Sequence, residues 1–228
     1  MLRKLASDRA ARKAARRVEI GQNMTDPMAR RRAHWHVFWA DHAVLRTFWT
    51  NFDQVAPGVF RSNHPGHRRL AAYKARGIKA VLNLRGTPQR AHHLFEVESC
   101  EALGLELVSV SLHARKPADR DDMLALFDAF DRISRPFVMH CKSGADRAGL
   151  AAALYLLDQG ASLDEARRQL SVRYLHLKFT KTGVQDHMLG LYEKRLEQGP
   201  ISIRDWVADE YDPDVLAASF ANLRTLPI

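Results

Sequence analysis

The run Pro136-Phe137-Val138-Met139 is hydrophobic and β-prone, and it leads through His140 into a cysteine, Cys141. Lys142, Ser143, Gly144, Ala145 and Asp146 then separate Cys141 from Arg147, and an apolar-periodic helix follows over 150–157. A strand that delivers a cysteine into a tight loop at a helix N-terminus makes a cradle of backbone N–H groups aimed at one spot. Unpaired amides and the helix dipole both favour negative charge there, so the cradle suits a dianion. The same field favours the thiolate, the nucleophilic form of Cys141. Arg147 adds a planar fork of donors that grips two phosphate oxygens together, as a lysine cannot. Nucleophile, cradle and clamp describe transfer of a phosphoryl group onto sulfur. Cys141 attacks phosphorus and expels an alcohol or phenol, and water then hydrolyses the cysteinyl-phosphate. The amides of residues 142–147 and the Arg147 guanidinium carry the charge on the equatorial oxygens.

The segment resembles the signature loop of the cysteine-dependent phosphatases, the tyrosine and dual-specificity superfamily with its His-Cys-x5-Arg pattern. Its wording is most similar to the bacterial branch related to atypical dual-specificity phosphatases. Val59-Phe60-Arg61-Ser62-Asn63-His64-Pro65 and Gly77-Ile78-Lys79-Ala80-Val81-Leu82-Asn83-Leu84-Arg85 are similar to the first strands of that branch. The likeness covers roughly residues 51–195. It implies a protein tyrosine or dual-specificity type phosphatase, acting on a phosphorylated protein without cofactor or metal. The alternatives are a lipid-phosphate phosphatase at a membrane surface (phosphoinositide or lipid A) and a catalytically weak phosphate-binding module. A rhodanese-type sulfurtransferase is a more distant reading.

The superfamily pattern places an aspartate proton donor on a loop upstream of the cysteine, but residues 111–117 here hold no acid. Asp146 is the first candidate, because an Asp-Arg pair also occurs in the loop of myotubularin-like phosphatases. Asp119 is the second and His113 the third. Asp119, Asp121 and Asp122 equally suit the first turn of a helix, where acids are favoured without catalysis. Many members carry Ser or Thr after the arginine to help the thiolate leave, and Ala148 cannot do so. Loops of the lipid-directed kind often hold two lysines, and Ala145 stands at the place of the second.

Alternating elements must position this loop. Strands are expected over 58–61, 80–84, 105–112 and 136–140, and helices over 67–76, 91–103, 119–134, 148–159, 162–171, 185–198 and 213–223. Gly104 reads as a helix-ending glycine and Ser162-Leu163-Asp164-Glu165 as a capping box. Such alternation predicts an α/β fold, a mostly parallel central sheet flanked by helices, with a basic N-terminal helical extension. The expected division is a basic arm over 1–32 and a catalytic domain over 33–228. The latter comprises an aromatic helical segment (33–52), a core (53–200) and a C-terminal helical segment (201–228).

The chain has 228 residues and a net charge of +9. Its first fifty residues hold eleven Lys/Arg against four Asp/Glu, and the remainder is near neutral. A basic arm suits an anionic membrane surface or an acidic protein, with nucleic acid the weaker choice, or serves merely as a solvated tail. Trp35, Phe38, Trp39, His42, Leu45, Phe48, Trp49 and Phe52 recur at helical steps. Such a face either packs on the domain or lies in a membrane interface. No apolar stretch nears the ~18 residues of a membrane span, and no secretory h-region opens the chain. Two cysteines form no disulfide framework, so a reducing cytoplasm is expected, with peripheral attachment to the inner membrane face through the arm. Cys100 reads as a buried thiol or a redox partner of Cys141. The eleven histidines are scattered along the sequence and form no evident ligand set.

Overall fold

The computed structural model describes residues 24–225, so most of the basic arm lies outside the described residues. Strands β1 (Asp53–Ala56), β2 (Val59–Asn63), β3 (Ala80–Asn83), β4 (Glu106–Ser109) and β5 (Phe137–Cys141) form one sheet in the order β1-β2-β5-β3-β4. β1 pairs antiparallel with β2, and every other pairing is parallel. The expected α/β class with a mostly parallel sheet is therefore present. Its central strand is the one that ends in Cys141. Buried on both faces by helices, β5 consists of Phe137, Val138, Met139, His140 and Cys141 without an exposed position.

Parallel strands need crossovers, and three helices supply them, His67–Ala75, Ala91–Leu103 and Arg120–Arg132, while Asp146–Asp158 follows the last strand after the loop. That last helix has eight consecutive buried residues, Ala148 to Tyr155. Its alanines let it lie close against the sheet, and Leu150, Leu154 and Tyr155 join Phe127, Phe130 and Phe137 in the main core. Gly104 ends its helix with φ +59°, and the Ser162–Glu165 capping box is formed. Leu163–Arg167, Val184–Leu196, Ile203–Asp205 and Pro213–Thr225 follow, with a π turn at Trp206–Glu210.

Sequence periodicity does not pick out β1. Pro57-Gly58, with Gly58 at φ +74°, is the turn signal that marks its hairpin with β2. The aromatic segment is two helices, Pro27–Trp39 and Ala43–Phe48, and the first runs across the division expected at residue 32. His42, at φ +60°, breaks them apart. The split also divides the aromatic face. Phe52 stacks on Phe60 and Tyr73, whereas Trp35, Trp39 and Phe48 remain exposed.

Candidate active site

Cys141 is the last residue of β5, in register with Asn63 of β2, and is buried. The loop beyond it turns through Gly144, at φ +75°. Asn51 Nδ2 donates to Ser143 O at 3.0 Å and to Tyr174 O at 2.9 Å. Arg61, fully buried in β2, donates through Nη2 to Gly144 O (2.6 Å) and Ala145 O (3.2 Å). Its Nη1 reaches Gln169 O and Oε1, and its guanidinium lies 3.7 Å from the Tyr174 ring. Burial pushes the Arg61 guanidinium down to about 10, opposed by Tyr174 and Cys141, so it remains a cation at neutral pH. Carbonyls 143–145 are thus held on the outer side of the loop. The amides of Ser143 and Gly144 make no backbone hydrogen bond among the described residues. This is the arrangement an anion cradle requires.

Arg147 sits in the first turn of the helix that follows. Among the described residues its Nε is buried without a partner, and its Nη1 makes only a long 3.4 Å bond to Leu84 O. A half-buried guanidinium whose Nε is buried and idle is costly unless an anion joins it. Arg147 and Lys142 line a cavity of about 250 Å³ with His36, Ala40, Asp41, Arg85, Arg90, Ala91 and His92. Ser143 Oγ accepts from Ala145 N at 3.3 Å, and Ala148 is fully buried.

The scattered histidines do converge, contrary to the sequence expectation. The fold brings His64, His93 and His140 around Glu96. His140 Nε2 lies 2.5 Å from Glu96 Oε1, both side chains being fully buried, and His140 Nδ1 lies 3.4 Å from Cys141 O. Burial raises the Glu96 carboxyl, but His140 and His64 more than offset this and hold it well below the usual range. His140 and Glu96 form an imidazole–carboxylate pair by distance, yet His140 Nε2, His64 Nδ1, His93 Nδ1 and both Glu96 oxygens are buried without a well-aligned hydrogen bond among the described residues. The pair braces the strand end that presents Cys141.

Asp146 Oδ1 lies 2.8 Å from His176 Nδ1, and His176 Nε2 lies 2.7 Å from Asp186 Oδ2. Burial lowers the His176 imidazole, but the two carboxylates outweigh it and push it up to about 9. A raised histidine stabilises the fold fully below its unfolded value of 6.5 and loses that contribution as pH rises through about 9. Thermal melts of wild type and His176→Gln should therefore differ most below pH 6.5 and converge above pH 9. A difference independent of pH would refute the charged bridge.

His113 Nε2 lies 4.0 Å from Asp119 Oδ2, and Asp122 joins the same cluster. Burial, then Lys116, lowers His113, and Arg147 is among the charges it feels. Burial, then Asp119, raises the Asp122 carboxyl. Cys100 is a buried free thiol pushed up to about 12 by burial and by Glu96, which disfavours its thiolate. Sequence reasoning assigned no role to Asn51, Arg61, Glu96 or His176. Only Arg61 left a signal, being a charge in a strand otherwise suited to burial.

A tyrosine phosphatase family model matches residues 118–169, which include the loop. The dual specificity protein phosphatase TpbA of Pseudomonas aeruginosa (strain UCBPP-PA14) is 29% identical over 128 residues, 52% of this chain and 54% of that protein. The chain thus matches about half the length of this curated relative. Among solved structures, the DUF442 protein of Shewanella putrefaciens CN-32 aligns at TM-score 0.52 with 21% identity, over 64% of this chain and 95% of that one. Tk-PTP in its active form aligns at 0.50 with 22% identity, over 64% and 99%. These two likenesses concern the fold. The family model and the curated relative are a tyrosine phosphatase family and a dual specificity phosphatase, the same likeness that the loop carries. No helix among the described residues is long and apolar enough to cross a membrane.

Proposed function

We propose that this protein is a phosphomonoesterase of the tyrosine and dual-specificity type, working through a cysteinyl-phosphate. The observation that carries the reading is the pinned loop between Cys141 and Arg147, whose arginine Nε is buried and idle. Cys141 Sγ attacks phosphorus as the P–O bond to the leaving group breaks, and the leaving oxygen takes a proton. Water then attacks phosphorus, breaks the S–P bond and releases phosphate. The loop residues Lys142, Ser143, Gly144, Ala145, Asp146 and Arg147 bind the transferring group through backbone amides and the guanidinium. Asp146 Oδ1 is already engaged by His176 Nδ1 at 2.8 Å. Its proposed role is to orient the loop and helix start, and the proton is assigned to Asp119 or Asp122.

The test is phosphate release from a small aryl phosphate under reducing conditions, comparing wild type with Cys141→Ser. Turnover should fall by at least ~10³-fold in the variant. In the same assay, Asp119→Asn or Asp122→Asn should remove the basic limb of the pH profile, and Asp146→Asn should keep it. Absence of wild-type turnover would sink the enzymatic reading and leave a phosphate-binding module.

A second reading, a lipid phosphate at an anionic membrane, is favoured by the exposure of Trp35, Trp39 and Phe48 and of Arg31 and Arg32. Turnover of a phospholipid in anionic vesicles that exceeds turnover of a phosphopeptide in solution would select it. The reverse ranking would reject it.

A further inference from the structure

Asp41 lies in the turn between helices Pro27–Trp39 and Ala43–Phe48, yet its carboxylate points into the cavity that Arg147 and Lys142 line. Arg85 grips it with both terminal nitrogens, Nη1 to Oδ2 at 3.1 Å and Nη2 to Oδ1 at 2.9 Å. Arg46 Nη2 donates to Oδ2 at 2.9 Å, and Lys142 Nζ stands 3.6 Å from Oδ1. Only about a tenth of each of the Asp41, Arg46 and Arg85 side chains is exposed. A single negative charge therefore faces three cations, two of them arginine forks, in a largely dehydrated place. Forks of this kind fit a phosphate as well as a carboxylate, and a dianion balances the cations better than one aspartate does.

Lys142 belongs to the loop itself, so this cluster adjoins the place where a phosphoryl group would sit. We infer that Arg46, Arg85 and Lys142 form a second anion subsite for another phosphate on the same substrate molecule, which Asp41 fills in the free protein. The cavity, about 250 Å³ and lined by Arg85, Lys142 and Arg147 but not by Arg46 or Cys141, lies just below the ~300–1,000 Å³ of drug-sized ligand sites, so it suits a compact substrate.

The alternative role for Asp41 is the missing proton donor, and electrostatics argues against it. Burial would raise its carboxyl, but Arg85 and Arg46 hold it far below the usual range, so at neutral pH it has no proton to give. Of the two helices that flank it, only Ala33 and Arg46 are buried. The contacts between the first of them and the domain include an Arg30–Glu98 pair that is 41% exposed on each side, the Arg30 guanidinium over the Phe95 ring and His34 stacked on Phe95. An exposed pair of this kind contributes little to stability. An arriving phosphate can therefore displace Asp41 without dismantling a core.

The inference rests on the phosphatase reading for the meaning of "substrate", but its test needs no turnover. Calorimetry on the full chain carrying Cys141→Ser would compare phenyl phosphate with benzene-1,2-diyl bisphosphate. The bisphosphate should bind at least ten-fold tighter. Adding Asp41→Asn should widen that ratio by about a further ten-fold, and adding Arg85→Gln should collapse it. Equal affinities in the Cys141→Ser protein would overturn the subsite. Inorganic phosphate binding beside phenyl phosphate without competing would place a free anion there and overturn the assignment to substrate. In the protein that keeps Cys141, loss of the basic limb of the aryl phosphate pH profile on Asp41→Asn would make Asp41 a proton donor and overturn its role as occupant.

Discussion

Arg147→Ala should lower kcat for an aryl phosphate by ~10³-fold or more while leaving the fold intact. Two facts separate the catalytic effect from a structural one. Among the described residues the guanidinium has little to lose, since its one bond, to Leu84 O, is 3.4 Å long and its Nε has no partner. Truncation therefore relieves a buried unsatisfied donor, and the melting temperature should stay level or rise. Everything the fork is built for happens when phosphorus is in flight, when charge spreads over the equatorial oxygens. Arg147→Lys should recover only part of the loss, because an ammonium is a point charge that cannot bond two oxygens in one plane. Steady-state kinetics should show the defect chiefly in kcat, with melting curves as control. A loss in kcat below about ten-fold would mean that the loop amides alone bear the transition-state charge. The clamp role would then have to be given up.

Much of this arrangement was legible in the sequence because it is local. The strand, the turn and the helix that make the loop are contiguous in residues 136–158, and periodicity alone marks them. The same holds for the helix over Ala91–Leu103, ended by Gly104, and for the capping box at Ser162. What escaped is what arrives from elsewhere in the chain. His176 lies thirty residues beyond Asp146, and nothing between them announces that they meet. Glu96 reads as one more acid on an amphipathic helix until the fold sets it against His140. Asp41 is harder still, since a single aspartate in an aromatic segment carries no periodic signal. Its place beside Lys142 depends on the turn between helices Pro27–Trp39 and Ala43–Phe48. Arg61 is the intermediate case. Its strand position makes its burial predictable, but the carbonyls of Gly144 and Ala145 become its partners only once β2 lies beside β5. Loop chemistry is thus written in spacing, whereas its bracing is written in topology.

The bracing makes Gly144 the position at which one added carbon should do the most structural harm. A Cβ there would stand 2.7 Å from Asn63 N, 2.8 Å from Asn51 Cβ and 2.8 Å from Ser62 C. Two of the three atoms are backbone of β2, which is hydrogen-bonded on both sides within the sheet and cannot step aside. The loop cannot step aside either. Asn51 holds Ser143 O, and Arg61 holds the carbonyls of Gly144 and Ala145. The φ of +75° adds its own penalty for any L side chain. Left-handed backbone costs about 1–2 kcal/mol and overpacking about 1–3 kcal/mol, so Gly144→Ala should lose roughly 2–5 kcal/mol. For a chain of this length that is a fall in melting temperature of roughly 5–15 °C. Any folded remainder should turn over aryl phosphate ~10²-fold more slowly, because a shift of about 1 Å in the loop takes its amides away from the equatorial oxygens. Gly190→Ala is the matched control. That glycine lies within helix Val184–Leu196 with nothing within 4 Å of its would-be Cβ, so alanine there should stabilise by about 0.5–1 kcal/mol. Equal effects at the two sites would mean that the loop yields where its hydrogen bonds say it is held.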